Sequence, residues 1–226
     1  MANPLEELAI FPLDTVLFPG AVLPLHIFED RYKKMIRYAL ENGGIFGLSH
    51  SGNAAIARET PPDIGSIGCA AKINTVVPLE GGRMNIVTTG LIRYRVLALS
   101  QLTPFIVART EAVTDDLEPG EDLSRTFGAI LEMGRSFLSA AQALDETTAP
   151  NTQDLPEEPE PFSLLVASAL PIDNESKQAL LEMTSTRLRL SRLKPLVTTA
   201  LGEYTDRIKV QQVAKGNGHG RLRNES

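Results

Sequence analysis

Three prolines interrupt an apolar run near the start of the chain, and they constrain the fold more than any other feature. The run is FPLDTVLFPGAVLPLHIFEDRY, residues 11–32, and its prolines are Pro12, Pro19 and Pro24. Because proline fixes φ and removes a backbone donor, this run can be neither one central strand nor one helix. The Pro19-Gly20 pair predicts a sharp turn. We therefore predict two short strands, at residues 8–11 and 22–27, joined by a proline corner.

A helix and a further strand are predicted next. Apolar side chains recur at helical spacing at Tyr32, Met35, Ile36 and Ala39. We expect Asp30 to cap this helix, which runs to about Leu40. Gly43 and Gly44 follow it, and glycine accepts the left-handed conformation that is used past helix ends. Residues 45–48 then predict a strand.

The clearest hairpin lies within residues 64–99. Two of its segments, residues 67–77 and 84–97, are long and rich in β-branched side chains. Gly81 and Gly82, in the connection, can take the positive φ that a tight turn needs. Gly90, in mid-strand, predicts the bulge or bend that closure of a small barrel requires. With a further strand at residues 102–113, this half of the chain predicts a partly closed β-barrel.

The second half of the chain predicts helices. Apolar residues between positions 123 and 138 repeat every three or four residues, which is typical of one buried helical stripe. Residues 146–161 are acidic and contain four prolines, and they predict a mobile, extended loop. Short helices are expected at residues 162–170 and from Asp173 or Asn174. A last helix begins near Thr186, and Pro195 is expected to kink or split it. Residues 213–226 predict a disordered tail.

Charge and composition exclude some classes of function. The net charge of −6 argues against broad nucleic-acid binding, because phosphate contacts need a positive surface. The charge is uneven, since residues 141–161 carry six acids and no Lys or Arg, whereas residues 187–223 carry nine bases and two acids. This asymmetry indicates either a docking face for an acidic partner or ordinary solvated helix faces with a basic tail.

The terminal segment and the cysteine usage suggest a cytoplasmic location. No apolar run approaches the roughly 20 residues of a membrane span. The acidic N-terminal segment lacks the basic and apolar regions of a signal peptide. The single cysteine, Cys69, excludes an intramolecular disulfide, and its small neighbours predict a buried thiol rather than a reactive one.

Candidates for catalysis, metal or cofactor binding are few. The chain has three histidines, His26, His50 and His219, and no Gly-x-Ser-x-Gly sequence accompanies them. One cysteine and three scattered histidines give no metal-ligand spacing. We interpret His26 as a packed or hydrogen-bonded structural residue. The sequence therefore predicts no catalytic residue, no metal and no cofactor.

Several motifs together carry a resemblance to a known family. They are the proline-punctuated opening, Gly65-x-x-Gly68, Ala71-x-Ile73 and Gly90-x-x-Arg93-Tyr94-Arg95-Val96. In order and spacing they resemble the N-terminal domain of Lon protease, which engages substrates and holds no catalytic site. The resemblance implies an α+β fold. It consists of a small PUA-like pseudo-β-barrel with one early helix, at residues 5–117, followed by a C-terminal α-helical bundle at residues 118–212.

The rest of the protease is not expected with this domain. No Gly-x-x-x-x-Gly-Lys-Ser/Thr phosphate loop occurs in the 226 residues. We therefore expect a stand-alone, non-enzymatic domain that binds unfolded or extended polypeptides, with an ATP-dependent protease as a further partner left open. The sequence identifies neither the client nor the oligomeric state.

Polypeptide binding is expected at exposed strand edges and apolar side chains. The candidate contact residues are Val16, Leu17, Phe18, Val22, Phe46, Leu48, Arg93 and Tyr94. For each of them the alternative is a place in the core. A PUA-like barrel that binds RNA through the basic run at residues 187–194, or that binds a small ligand, is the second hypothesis. A hydrolase that uses His26 or His50 is the third.

Overall fold

The computed structural model describes residues 5–52, 60–116, 124–144 and 155–218. Within these residues the chain forms six strands: β1 (Glu7–Leu13), β2 (Val22–Ile27), β3 (Ile45–His50), β4 (Ile67–Pro78), β5 (Met84–Gln101) and β6 (Ile106–Val113). Five α-helices accompany them: α1 (Asp30–Glu41), α2 (Ser124–Ala143), α3 (Pro159–Ala169), α4 (Asn174–Glu182) and α5 (Thr186–Gly218). A short 3-10 turn, Glu80–Gly82, connects β4 to β5.

The strands form one mixed sheet that curls back on itself. Its order is β2-β5-β4-β3-β1-β6, and β6 also pairs with β5. Strands β1 and β3 are parallel, whereas the other pairs are antiparallel. One edge of β5 pairs with β4, and the other edge pairs first with β2 and then with β6. The predicted α+β pseudo-barrel is confirmed, and β2 extends it beyond a regular closed barrel.

The local predictions in the first half hold with one correction. The strands at residues 8–11 and 22–27, the helix after them and the long hairpin are all present. Gly81 and Gly82 both adopt positive φ in the hairpin connection, as expected. The prediction that Asp30 caps α1 was wrong, because Asp30 is the first helical residue and its carboxylate accepts a hydrogen bond from Lys33 Nζ (3.0 Å).

In the helical half, the predicted helices are present, but some of their ends differ from the prediction. Asp173 caps α4 as predicted, since its carboxylate accepts from the backbone N–H of Ser176 (2.7 Å). Helix α5 continues through Pro195, so the predicted split was wrong. The extended loop predicted for residues 146–161 ends earlier, because α3 already begins at Pro159 and proline suits a first helical turn.

Parts of these predictions fall outside the described residues. Residues 145–154, which carry most of the predicted loop, lie there, and so do residues 117–123 with the predicted domain boundary. Helix α5 runs to Gly218, past the start of the predicted tail at residue 213. Residues 219–226, the remainder of that tail, lie outside the described residues as well.

Three apolar cores hold the molecule together. One lies between the sheet and α1, a second lies inside the barrel, and the third and largest lies among α2, α3, α4 and α5. The third core also takes in Phe18, Ile67 and Val113 from the β-rich half. The barrel lobe (described residues 5–116) and the helical lobe (described residues 124–218) therefore share buried surface.

Candidate functional site

Most of the predicted contact residues are buried in the structure. Six of the eight candidates are no more than 3% exposed: Leu17, Phe18, Phe46, Leu48, Arg93 and Tyr94. The five apolar or aromatic ones belong to the cores, so in this folded state they are not accessible to a partner. Val16 is half-buried against the helical core. Only Val22, 54% exposed, remains available to a partner.

Arg93 is buried for a different reason, because it joins the two lobes. Its Nη1 donates to the carbonyl oxygens of Leu181 (3.0 Å) and Met183 (2.6 Å), which lie at the C-terminal end of α4. Its Nη2 donates to Asp115 Oδ1 (2.5 Å) and to Glu160 Oε1 (3.0 Å). One strand residue thereby contacts the end of β6, the start of α3 and the end of α4.

A second arginine completes this buried charge cluster. Arg189 is fully buried, and its Nη2 lies 2.5 Å from Asp115 Oδ2. Its Nε donates to Ser163 Oγ (2.7 Å) and its Nη1 to the carbonyl oxygen of Met183 (2.7 Å). The hydroxyl of Thr186 also donates to Asp115. Two guanidinium groups thus face two carboxylates, those of Asp115 and Glu160, and the cluster is neutral overall.

The cluster keeps Asp115 ionised. Burial alone would raise the pKa of Asp115, but the hydrogen bonds from Arg189 and Thr186 favour the carboxylate, and the charges of Arg189 and Arg93 add to them. The net effect holds the pKa of Asp115 below its ordinary value. We interpret this cluster as the joint between the lobes rather than as a binding site.

One group of neighbouring, accessible apolar side chains lies instead on a three-stranded extension of the barrel, which we call the wing. The wing consists of β2, residues 84–89 of β5 and residues 74–78 of β4. Its inner face contributes Ile27, Met84 and Ile86 to the core beneath α1. Side chains alternate along a strand, so the residues between these point to the opposite, outer face.

The outer face of the wing is free of formal charge and partly apolar over two full rows. Pro24 of β2 lies opposite Val87 of β5, which in turn lies opposite Thr75 of β4. The next row is formed by His26, Asn85 and Val77. These six residues include no Asp, Glu, Lys or Arg.

Several apolar side chains of the wing are accessible to solvent. Val77 is 50% exposed and Val87 is 37% exposed. Phe28, 47% exposed, extends the apolar surface past the end of β2 and stacks on His26 with ring centroids 5.8 Å apart. Rows of neighbouring exposed apolar side chains of this kind mark interaction surfaces more often than scattered ones do.

The wing also presents a strand edge. Gly90 N–H donates to the Ala21 carbonyl oxygen (2.9 Å), which makes Val22 and Thr89 a pair without mutual hydrogen bonds. Two residues on, the nitrogen of Pro24 therefore points away from β5. Proline is tolerated at such a position, because no hydrogen bond between the strands is lost. In the described ranges, no strand pairs with this outer edge of β2.

The residues considered for catalysis are not brought together. His26 Nδ1 is hydrogen-bonded to Asn85 Oδ1 (2.6 Å), which confirms the prediction of a hydrogen-bonded residue. Among the described residues, neither ring nitrogen of His50 has a hydrogen-bond partner. His219 lies outside the described residues. Cys69 is buried as predicted, and burial raises the pKa of its thiol well above the ordinary range.

Within the ranges that the structure covers, no group of three or more His, Cys, Asp or Glu residues is arranged to hold a metal ion. In the same ranges, none of the helices combines the length and the apolar character needed to cross a bilayer.

The sequence carried a signal for the wing that the contact prediction did not use. Along β5, Asn85, Val87 and Thr89 share one face. Val87 therefore places an apolar side chain between the polar residues of a solvent-facing row. An apolar residue at such a position is a sign of an interaction surface, whereas the apolar residues of the opening segment were needed for the core.

A family model and several curated proteins match this chain. The model of the ATP-dependent protease La (LON) substrate-binding domain matches residues 7–199. The Lon protease of Koribacter versatilis is 27% identical over 209 residues, which cover 91% of this chain and 25% of that protein. The Lon protease of Bacillus thuringiensis is 26% identical and covers 83% of this chain and 24% of its own length. The chain thus spans about a quarter of the length of these curated relatives.

Solved structures agree in fold. The N-terminal domain of Mycobacterium avium complex Lon protease matches with a TM-score of 0.61 at 20% identity, over 85% of this chain and 98% of that one. The Lon N-terminal domain protein from Xanthomonas campestris matches with a TM-score of 0.57 at 21% identity, over 84% and 97%. Since the family model covers most of its length, the chain belongs to the family of the ATP-dependent protease La (LON) substrate-binding domain.

Proposed function

We propose that this protein binds unfolded or extended polypeptides through the outer face of the wing, without catalysing a reaction. The observation that carries the proposal is the juxtaposition of an uncharged face that exposes Val77 and Val87 with an unpaired strand edge. An apolar face takes up side chains of many kinds, and a strand edge bonds to a backbone whatever its sequence. This combination suits a protein that samples many different unfolded chains.

The composition of the wing favours polypeptide over RNA. Apart from His26, its two central rows contain no titratable side chain, whereas RNA binding needs bases near the phosphates. The basic run at residues 187–194 supports the second hypothesis less than its composition suggests. Arg189 of that run is buried against Asp115, and Leu190 and Leu193 are in the helical core.

In this proposal, the protein does not itself use ATP to act on a bound client. These 226 residues contain no phosphate loop. We propose that the protein holds its client or presents it, and that an ATP-dependent protease acts on the client by way of another domain or another chain.

The experiment is a binding titration with a fluorescently labelled, unstructured apolar peptide at two salt concentrations. Val87→Asp places a charge in the centre of the wing and is expected to weaken binding at least tenfold. Leu97→Asp is a matched control, since Leu97 lies on the same strand outside the wing and is likewise 37% exposed. Wild type and Leu97→Asp are expected to bind alike and with little dependence on salt, because apolar contacts dominate.

Two results would count against the proposal. Equal loss in both variants would show that the wing is not the contact surface. Binding that needs RNA in place of the peptide, with a steep dependence on salt, would favour the second hypothesis.

A further inference from the structure

The outer edge of β2 carries free backbone groups at every second residue. Leu23 and Thr88 form the hydrogen-bonded pair between β2 and β5, so the residues on either side of Leu23 direct their backbone groups away from β5. The outward groups of β2 are therefore those of Val22, Pro24 and His26. In the part of the chain that the structure describes, no backbone group bonds to them.

The residues that carry these free groups also face the outer side of the wing. Val22 is 54% exposed, and Pro24 and His26 are exposed beside it. Leu23 and Leu25 point the other way and pack, half-buried, against the core beneath α1. In an antiparallel pair, residues directly opposite each other place their side chains on the same face. A strand added antiparallel to β2 would therefore bond to the outward groups and cover the outer face with the same residues.

Pro24 distinguishes a foreign strand from a second copy of this chain. A residue paired with Pro24 can donate its N–H to the Pro24 carbonyl oxygen, but it receives no bond in return because proline has no N–H. A foreign strand loses one hydrogen bond in this way. Two copies paired antiparallel across this proline lose two, since each copy contributes a Pro24. The edge therefore favours a client strand over self-association.

The dimensions of the wing also fit a short segment of extended chain rather than a folded partner. From the usual strand spacing and rise per residue, three strands and the stretch from Val22 to His26 cover roughly 14 Å by roughly 13 Å. This footprint, on the order of 200 Å², is well below the roughly 800 Å² that each partner contributes to a stable protein interface.

We infer that a client polypeptide binds as a fourth strand of the wing, antiparallel to β2. Three alternate client residues, opposite Val22, Pro24 and His26, donate their N–H groups to the outward carbonyl oxygens and place their side chains on the outer face. The client residues between them direct their N–H groups to solvent. The site therefore prefers apolar side chains and excludes proline at the same alternate positions. This inference rests on the proposed function and adds the orientation and register of the client to it.

The test uses a short labelled peptide with valine at odd positions and serine at even positions, flanked by lysines that keep it soluble. One derivative carries backbone N-methyl groups on its valines, and a second derivative carries them on its serines. An N-methyl group removes the backbone donor, so methylation of the valines is expected to weaken binding to wild type at least about tenfold. Methylation of the serines is expected to change the Kd less than about twofold, because their N–H groups face solvent.

A variant of the edge gives the opposite sign. Pro24→Thr supplies the missing donor and is expected to bind the parent peptide about threefold more tightly than wild type does. Leu97→Asp, outside the wing, is expected to keep the wild-type affinities for all three peptides. The titrations are made at protein concentrations at which sedimentation shows Pro24→Thr to be monomeric, and circular dichroism establishes that each variant is folded.

The outcomes separate strand addition from binding by the wing in general. If wild type binds none of the three peptides, the proposed function fails. If wild type binds all three equally, or if folded Pro24→Thr gains no affinity, strand addition is overturned while binding to the outer face stands. If methylation of the serines is the harmful change, the client runs parallel to β2 or faces the inner side, and the inferred register is overturned.

Discussion

Replacement of Asp115 by asparagine tests whether the buried charge cluster joins the lobes. The Asp115 side chain is 5% exposed and bonds to Arg93, Arg189 and Thr186. Asparagine keeps the shape but removes one of the two negative charges, so two buried guanidinium groups face Glu160 alone. Breaking a buried ion pair by removing one partner typically costs about 3–5 kcal/mol. This is a large part of the roughly 5–15 kcal/mol that stabilises a domain.

The free energy of unfolding of Asp115→Asn should therefore fall by about 3–5 kcal/mol. For a chain of this length, that loss corresponds to a decrease in Tm of about 10 °C. Guanidinium chloride unfolding at pH 7, followed by far-UV circular dichroism, measures it. Asp116→Asn is the matched control, because Asp116 is exposed and its carboxylate accepts one hydrogen bond, from Thr184 Oγ1 (2.9 Å). We expect it to cost less than about 1 kcal/mol.

The pH dependence gives a second readout with a defined sign. The pKa of Asp115 is lowered in the folded protein, so its ionisation adds stability above the ordinary carboxyl pKa of about 3.9. That stability is lost as the pH falls through the folded-state pKa. The difference between wild type and Asp115→Asn should be constant from about pH 7 to pH 5 and shrink below about pH 4. A variant as stable as wild type at pH 7, or a difference that does not change in acid, would refute the reasoning.

Four further substitutions test the backbone. A Cβ at Gly90 would lie 2.1 Å from the carbonyl oxygen of Phe18, so Gly90→Ala should destabilise the protein by about 3 kcal/mol. Gly128→Ala, where nothing lies within 4 Å, should instead stabilise it by up to about 1 kcal/mol, and equal effects in urea unfolding would contradict this. Pro195→Ala should raise stability by about 1–3 kcal/mol, because this exposed proline interrupts the hydrogen bonding of α5; an unchanged Tm would argue that the helix is already relaxed there. Pro24→Thr restores an outward N–H on the β2 edge and should increase self-association in sedimentation, unless another feature protects that edge.

Local chemistry predicted most elements of this fold, since the signals that define them are short-range. The prolines at positions 12, 19 and 24, the helical spacing after Asp30 and the cap at Asp173 each act within a few residues. Contacts between the lobes are not encoded in that way. The chain folds Phe18 into the helical core and covers Arg93 with α4 and α5, so a loop residue and a strand arginine that both looked exposed are buried. Only the sequence-distant partners Asp115, Glu160 and Arg189 explain why a charge is stable there.

A bulge in β5 separates the wing from the lobe joint. The register against β4 shifts between Ala70 and Ala71, which pair with Ile92 and Gly90, so Leu91 is an additional residue that reverses the two faces of the strand. Val87 therefore lies on the outer face of the wing, whereas Arg93 lies on the opposite face, where the helical lobe covers it. Loosening the joint should for this reason leave the wing unaltered. In Asp115→Asn, we expect the binding of an unstructured apolar peptide to be unchanged under conditions in which the variant is folded. A loss of binding in the folded variant would mean that the joint and the wing act as a single surface.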